Sequence, residues 1–375
     1  MSPGSLSLYL HIPWCRVRCG YCDFNTYVLG SAAPDLPERY QAALLAELGL
    51  AAERLGPRRV ETIYFGGGTP TLMAPPAFAA LLGRIGELFD VAPDAEITTE
   101  ANPETVTPAS LAQLRQAGIT RLSLGMQSAV PHLLATLERV HTPGRAVEAV
   151  GWARAAGFAS VSLDLIYATP GETLTDWEHS VETALAAEPD HLSAYSLIVE
   201  PGTRLAARIA RGELPAPQED AMAERYLLAD ERFNAAGLAW YEVSNWARPG
   251  HECRHNLAYW RSGDWWGFGA GSHSHVAGVR WWNERHPRTY AERIEACAMP
   301  VAGSEELTDE DRHMETVMLG LRLREGLLSS ALTASEQTRV PALVDDGLVT
   351  VMGERIVCTQ RGRLLADGVV RDLLD

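Results

Sequence analysis

The sequence predicts an α/β protein, a partial (βα)6 TIM-like barrel followed by a small C-terminal helical, winged-helix-like domain. Two observations lead to this prediction. Strand-like and helix-like patterns alternate six times between residues 5 and 199, with turn residues between them. Polar and glycine-rich segments directly follow the strands, where parallel sheets place their ligand sites. Six such units imply a parallel sheet with helices outside, short of the eight units of a closed barrel.

The elements follow in chain order from their hydrophobic periodicity. The predicted strands are Ser5–Ile12, Val60–Phe65, Ala95–Glu100, Thr120–Met126, Ala159–Ile166 and His191–Val199. The predicted helices are Leu36–Leu55, Pro76–Leu88, Pro108–Ala117, a pattern reaching about Ala156, and Leu174–Ala187. A helix at 219–237 and a strand at Ala239–Ser244 are expected to extend the sheet.

Three regions are expected along the chain. Residues 1–245 form the barrel, and residues 246–300 form an extension rich in Trp, His and Gly. Residues 301–375 form the C-terminal domain, whose end has the order helix, short hairpin, helix. That order is typical of a winged-helix-like cap, but the acidic charge of the chain argues against DNA binding by it.

Composition excludes several function classes. The net charge is −16, from 48 acidic and 32 basic residues, which disfavours binding to nucleic acid. All basic residues are Arg, so lysine Schiff-base chemistry is excluded. Apolar stretches are broken before membrane-spanning length, and we expect no direct membrane insertion. Met1-Ser2-Pro3-Gly4 does not look like a signal peptide, so we expect a cytoplasmic protein.

Three cysteines close together form the most specific motif. Cys15, Cys19 and Cys22 directly follow the first predicted strand. A structural zinc site normally takes four protein ligands from paired groups, and no second pair lies nearby in the sequence. Three thiolates can instead hold three irons of a [4Fe-4S] cubane and leave the fourth iron open to another ligand. A zinc loop or three unligated thiols are the alternatives.

The residues around these cysteines resemble a known superfamily. His11-Ile12-Pro13-Trp14-Cys15 and Cys19-Gly20-Tyr21-Cys22-Asp23-Phe24-Asn25 are similar to the radical SAM superfamily, and within it to the oxygen-independent coproporphyrinogen III dehydrogenase group and its HemW-type relatives. This resemblance implies a barrel of the radical SAM type with a [4Fe-4S] cluster and S-adenosylmethionine (SAM). The open iron would chelate the amino and carboxylate groups of SAM.

The same resemblance implies SAM contacts in the segments that end the strands. Gly66-Gly67-Gly68-Thr69-Pro70 resembles the family loop against the methionine part of SAM, and glycines let a backbone approach a ligand closely. A plain turn is the alternative, and each polar residue could be an ordinary one at a barrel rim. The implied SAM-binding residues are Tyr9, Tyr21, Gly67, Gly68, Thr69, Glu100, Gln127, Arg139 and Asp164.

Two departures separate this chain from the dehydrogenase. The dehydrogenase has a further Cys two residues after the third cluster Cys, where this chain has Phe24. It also has a long segment before the cluster, whereas fourteen residues precede Cys15 here. Both departures match the HemW-type relatives.

The H-N-x-x-Y-W element at 255–260 is similar to the HemW-type heme-binding motif, which implies heme contacts by His255, Asn256, Tyr259 and Trp260. Imidazole is a normal axial ligand of heme iron, and aromatic rings offer a flat apolar surface. A core His beside packing aromatics is the alternative. Cys253 is a less favoured candidate for an iron ligand.

The expected function is therefore a heme chaperone that binds heme and transfers it to apo-proteins, with respiratory proteins as candidate recipients. The cluster and SAM would regulate binding or transfer. The alternative is an oxygen-independent coproporphyrinogen III dehydrogenase, which uses radical SAM chemistry for oxidative decarboxylation.

Overall fold

The computed structural model describes residues 4–140 and 142–374. Residues 1–3, on which the leader expectation rests, lie outside the described residues, as does His141. The strands are β1 (Ser5–Ile12), β2 (Trp14–Cys15), β3 (Tyr27–Val28), β4 (Arg59–Gly67), β5 (Asp90–Ala101), β6 (Arg121–Gln127), β7 (Ser160–Tyr167), β8 (His191–Ser196), β9 (Ala239–Glu242), β10 (Asn245–Ala247), β11 (Asp264–Phe268), β12 (His273–Val276), β13 (Val279–Asn283), β14 (Val301–Glu306), β15 (Leu327–Leu328), β16 (Val349–Met352) and β17 (Arg355–Cys358).

Helices connect most of these strands. They are α1 (Leu36–Leu55), α2 (Pro75–Leu88), α3 (Pro108–Ala117), α4 (Pro131–Thr136), α5 (Arg145–Ala155), α6 (Leu174–Ala186), α7 (Arg204–Ala210), α8 (Glu219–Ala235), α9 (Arg254–Trp260), α10 (Pro287–Glu295), α11 (Asp309–Gly320), α12 (Ala334–Gln337), α13 (Val340–Asp345), α14 (Gln360–Leu364) and α15 (Ala366–Leu374). Within residues 4–140 and 142–374, no helix is both long and apolar enough to span a membrane.

The centre of the molecule is one twelve-stranded sheet, in the order β14-β13-β12-β11-β1-β4-β5-β6-β7-β8-β10-β9. The six predicted strands, β1 and β4 to β8, are neighbours and run parallel. In the described residues β1 and β8 are not paired with each other, so the barrel is open. The prediction of a partial barrel with six βα strands is therefore confirmed.

The Trp-rich region adds to the sheet at its open edge. β11 pairs in parallel with β1, from Leu6 opposite Asp264 to Leu10 opposite Phe268. β12, β13 and β14 continue the sheet in antiparallel fashion. At the other edge β10 and β9 extend β8, as expected for the strand near residue 239. The sequence did not predict β11, because a short segment with two adjacent Trp and a Gly lacks clear alternation.

The barrel strands separate apolar from polar side chains. In β6, Leu122, Leu124 and Met126 pack in the main hydrophobic core. The alternate positions, among them Arg121 and Gln127, line a cavity inside the barrel. This follows from the period of two along a strand, which sends successive side chains to opposite faces. The interior of the barrel is therefore polar and available for chemistry.

The C-terminal region has a core of its own, which includes Val317, Leu327 and Leu343. Its helix, hairpin and helix after residue 340 correspond to α13, β16 with β17, and α14 with α15. β14, which lies just after the predicted boundary at residue 301, is hydrogen-bonded into the large sheet. Arg363 joins the two parts, because its Nη2 lies 2.8 Å from Oδ2 of Asp230 on α8.

A buried carboxylate fixes the extension to the barrel helices. Glu47 of α1 is fully buried, and its Oε2 accepts hydrogen bonds from the Gly269 amide at 2.9 Å and the Tyr290 hydroxyl at 2.6 Å. Its Oε1 accepts one from Asn283 Nδ2 at 2.8 Å. Three donors from the extension thus meet one side chain of α1, and hydrogen bonds to a charged group are the stronger kind.

We expect Glu47→Gln to lower the free energy of unfolding by about 1–3 kcal/mol, because the amide NH2 would then face a buried donor. Urea denaturation of the two proteins measures the loss. Glu53→Gln, an exposed position on the same helix, is the matched control and should change little. Equal stability of the Glu47 variant and this control would contradict the anchoring role.

Candidate functional site

A cavity of about 960 Å³ opens at the C-terminal ends of the parallel strands. The three motif cysteines line its mouth together with the glycine-rich loop after β4. Among the described residues, all of the predicted SAM-binding side chains except Tyr9 line the same cavity. They are Tyr21, Gly67, Gly68, Thr69, Glu100, Gln127, Arg139 and Asp164. Residues that are far apart in the sequence thus meet in one place.

The cysteine loop presents three free, half-buried thiols to this cavity. The Thr69 hydroxyl lies 3.9 Å from the Sγ of Cys15, and Nη1 of Arg139 lies 3.7 Å from the Sγ of Cys19. Burial raises the pKa of Cys15 and of Cys22. Donors directed at the sulfurs favour the thiolate forms that bind metal.

The donor set fits an iron–sulfur cluster better than a single metal ion. In the described residues no group of three His, Cys, Asp or Glu side chains is arranged to hold a single metal ion. In a cubane each thiolate binds a different iron, so the sulfurs stand further apart. Beside them the buried Nε of Arg139 has no hydrogen-bond partner among the described residues, so a donor is left for a ligand.

The glycine loop holds the segment that leads into Cys15. The Gly68 amide donates to Ile12 O at 2.8 Å, and the Thr69 amide donates to Trp14 O at 2.8 Å. A Cβ on Gly68 would lie 2.6 Å from Trp14 O. The glycine is therefore required by the close packing of two backbones, whatever ligand the loop also contacts.

A second support comes from the helical layer. The Gly20 amide donates to Leu137 O at 3.1 Å, and the Leu205 amide donates to Gly20 O at 2.9 Å. Nη2 of Arg204 on α7 lies 2.5 Å from Oε2 of Glu138. The Glu138 carboxylate packs against Gly20, where any Cβ would contact it. The cysteine loop is thus held from both sides.

Two carboxylates face the cavity from neighbouring levels of the barrel. Glu100 accepts hydrogen bonds from the Tyr64 hydroxyl at 2.9 Å and the Gly67 amide at 3.1 Å. Asp164 accepts from Ser123 at 3.0 Å and Ser193 at 2.8 Å. Burial raises the pKa of Asp164, and it raises the pKa of Glu100 to about 7. Such carboxylates suit ribose hydroxyls, which are donors.

Arg139 and Gln127 pack together over a glycine. Nη2 of Arg139 donates to Gly125 O at 3.0 Å. A Cβ at Gly125 would lie 2.7 Å from that Nη2 and 2.7 Å from Nε2 of Gln127. Gln127 itself adopts a left-handed backbone, with φ of 65°. A non-glycine residue there is uncommon and is typical of functional sites.

Tyr9 lies behind the cavity wall. Its hydroxyl donates to Nδ1 of His11 at 3.0 Å, because Nε2 of His11 donates to Asn25 O at 2.9 Å. The Tyr9 ring stacks on Tyr64, with centroids 6.2 Å apart. It supports a residue that does line the cavity, and its own contact with SAM stays a prediction.

The heme-motif helix α9 buries its histidine. His255 is 1 % exposed, and its Nδ1 lies 2.8 Å from Thr62 Oγ1. The Thr62 hydroxyl donates onward to Ser7, so Nδ1 of His255 is the donor and Nε2 accepts from the Tyr259 hydroxyl at 2.8 Å. Burial lowers the pKa of His255 to about 3, so the ring is neutral.

The four motif residues therefore differ in their access to the cavity. Asn256 lines it. Tyr259 packs against His255, with ring centroids 4.9 Å apart, and Trp260 is half-buried at the end of the helix. His255 could bind an iron only after it gives up one of its two hydrogen bonds. Heme contact by these residues stays a prediction.

Several cavity residues were missed by the sequence analysis. Arg121 and His191 line its floor, and Ser123 and Ser193 line its wall. The period of two along β6 and β8 was a signal for them, since they alternate with apolar residues. A second group consists of exposed apolar side chains around the mouth. They are Val17, Phe24, Val140, Tyr195 and Ile198.

Comparison with known proteins bears on this site. The family model for the radical SAM superfamily matches residues 9–184, and that for the HemN C-terminal domain matches residues 307–365. The chain is 54 % identical over 373 residues to a Mycobacterium tuberculosis protein named heme chaperone HemW, covering 99 % of this chain and 96 % of that one. It is 34 % identical to the Bacillus subtilis protein of the same name, covering 97 % of each.

Among solved structures, coproporphyrinogen III oxidase (HemN) from Escherichia coli, described as a radical SAM enzyme, is similar in fold. The TM-score is 0.84 at 25 % sequence identity, and the match covers 98 % of this chain and 90 % of that one. The similarity thus includes the barrel, the extension and the C-terminal region.

We expect Gly68→Ala to destabilise the protein and to distort the cysteine loop, because its Cβ would meet the Trp14 carbonyl. A loss of roughly 1–3 kcal/mol is the size typical of overpacking. Chemical denaturation measures it, and iron retained after anaerobic reconstitution reports on the loop. Gly83→Ala, in the middle of α2 with open space around its Cβ, is the control and should be neutral or slightly stabilising. A Gly68 variant that behaves like this control would contradict the backbone-packing argument.

Proposed function

The chain belongs to the radical SAM superfamily and, within it, to the HemW family of heme chaperones, and on this premise we propose that it binds heme and transfers it to apo-proteins. The observation that carries the proposal is the similarity to named heme chaperones over almost the whole chain. The gathering of the predicted site residues in one cavity supports it.

We propose that Cys15, Cys19 and Cys22 hold a [4Fe-4S] cluster and that SAM binds beside it in the same cavity. Cluster and SAM together supply one-electron reductive chemistry when both are bound. The protein contributes donors near the sulfurs from Thr69 and Arg139. Carboxylate acceptors for hydroxyl groups come from Glu100 and Asp164 on the cavity wall.

Heme is a large, flat, mostly apolar ligand with acidic side chains. The exposed apolar rim of the cavity suits such a ligand, since Phe24 there is 63 % exposed. We propose that the macrocycle enters past this rim toward Asn256, the motif residue that already lines the cavity. His255 then becomes an iron ligand after its hydrogen bond to Thr62 or Tyr259 breaks.

Free thiols as cluster ligands require a reducing compartment, and we therefore propose a cytoplasmic location. The recipients are proposed to be apo-proteins that take up heme, with respiratory proteins as candidates. The strongly acidic surface favours partners with basic patches over nucleic acid.

The coproporphyrinogen dehydrogenase remains the second candidate, because a solved enzyme of that kind shares the fold at a TM-score of 0.84. Against it, this chain has Phe24 where that group carries a further Cys. The two functions differ in turnover, since a chaperone retains heme and an enzyme releases a decarboxylated product.

We expect His255→Ala to weaken heme binding by at least about tenfold and to remove the absorbance signature of imidazole ligation. Thr62→Val is the matched control, because it removes the same hydrogen bond from the other side and supplies no iron ligand. Its heme spectrum should keep the imidazole signature. An equal loss of heme affinity in both variants would show that His255 contributes only through its hydrogen bond to Thr62. That result would contradict its role as an iron ligand.

We expect the reconstituted, reduced protein to form no decarboxylated porphyrin from coproporphyrinogen III and SAM under anaerobic conditions. The same preparation should bind heme in a titration followed by absorbance. Cys19→Ser, which removes a cluster ligand, is the control for background chemistry. Product formed over many turnovers by the wild type, and lost in this variant, would establish the dehydrogenase instead.

A further inference from the structure

The floor of the cavity contains a buried positive charge with an unsatisfied hydrogen-bond donor. Arg121, the first residue of β6, is 4 % exposed. The buried Nε of its guanidinium has no hydrogen-bond partner among the described residues. A buried donor without a hydrogen-bond partner is expensive, so native proteins normally satisfy it. The cost is acceptable where a ligand supplies the acceptor.

The acidic groups nearest to Arg121 are engaged elsewhere. Glu96 accepts from the Arg254 and His255 amides, both at 3.0 Å, and so closes the start of α9. Asp164 is held by two serine hydroxyls higher in the barrel. Burial opposes the charge of Arg121, but the coulombic interactions with Cys253 and Glu96 outweigh burial and raise the pKa of Arg121. Neither carboxylate forms the bidentate pair that an arginine accommodates.

A second unmatched donor lies beside this arginine. Thr98 of β5 is directly opposite Arg121 in the β5–β6 register and is fully buried. Its Oγ1 has no hydrogen-bond partner within the described part of the chain. Two adjacent strands thus carry two unsatisfied polar groups at the same level, which is unusual for a protein interior.

The position of Arg121 separates it from the cysteine end of the cavity. Gln127 lies at the other end of β6, six residues on, which is roughly 20 Å at the rise of a β-strand. Both residues line the same cavity. A ligand group bound at Arg121 therefore occupies a different part of the cavity from a group held at the cysteines. Only a ligand that extends along the cavity reaches both places.

We propose that Arg121 forms a carboxylate site on the cavity floor, and that a propionate of the bound tetrapyrrole occupies it. This rests on the proposed heme binding and specifies how the ligand is oriented. The planar fork of a guanidinium matches a carboxylate bidentately. Propionates then point inward to the polar floor, while the apolar edge of the macrocycle lies toward the rim.

Titration of the full-length, cluster-loaded protein with heme and with heme dimethyl ester tests the proposal. We expect Arg121→Gln to weaken heme binding roughly tenfold to hundredfold, since a hydrogen-bonded charge pair is lost. The ester, which has no carboxylate, should bind wild type and variant equally. SAM affinity should be unchanged. Arg54→Gln, at an exposed position on α1, is the control for loss of an arginine as such.

Stability without ligand separates this role from a structural one. The Nε of Arg121 has no hydrogen-bond partner in the structure without ligand, so Arg121→Gln should change the unfolding temperature little. Marked destabilisation would show that the arginine holds the barrel together and would overturn the proposal. Arg121→Lys offers a second variant that keeps the charge without the planar fork, with an expected loss in heme affinity of a few fold.

The remaining outcomes are distinct. Wild type that binds heme, with Arg121→Gln binding it equally well, overturns the carboxylate site and leaves the proposed function standing. Loss of SAM affinity in the variant, with heme affinity intact, assigns the arginine to the SAM carboxylate and also overturns it. Wild type that binds neither heme nor its ester removes the proposed function itself, and the propionate site with it.

Discussion

The structure depends on the strict alternation of apolar and polar side chains along six parallel strands. Leu122, Leu124 and Met126 of β6 face the helices, and their neighbours in sequence face the interior. A closed core would normally be filled with branched apolar side chains. Here the barrel is open and its interior polar, so every inward-facing group must find a partner in the interior or in a ligand. This requirement explains why Glu100 and Asp164 accept hydrogen bonds from neighbouring hydroxyl and amide groups. It also makes interior polar groups without a hydrogen-bond partner candidates for ligand contact.

The position of the cysteines follows from the same sheet. β1 leads directly to Cys15, and the loop after β4 hydrogen-bonds to the segment between them through Gly68 and Thr69. The extension is locked by Glu47 of α1, which sets β11 beside β1 and carries α9 to the cavity floor. The cysteine loop thus follows β1, and the heme-motif helix packs against β4 and β11, the two strands that flank β1.

His255 and Arg121 show how burial with partners differs from burial without them. His255 belongs to a recognisable motif, yet both of its ring nitrogens are satisfied by Tyr259 and Thr62. Arg121 belongs to no motif that was singled out, yet the Nε of its guanidinium has no hydrogen-bond partner in the described interior. A satisfied buried group stabilises the fold, whereas an unsatisfied one costs free energy that a ligand can recover. Buried polar groups that lack a hydrogen-bond partner therefore indicate ligand contacts that motif matching does not find.

The sequence by itself determined the six strands, the helices between them, the cysteine motif and the family, because these depend on local periodicity and on spacing along the chain. It also indicated which loops meet, since the C-terminal ends of parallel strands share one edge. Only the tertiary structure decided that β11 extends the sheet, that Tyr9 and His255 lie behind the wall, and that Arg121 faces the cavity with its Nε unsatisfied among the described residues. Those facts depend on which side chains meet across strands far apart in sequence, and no local pattern records such contacts.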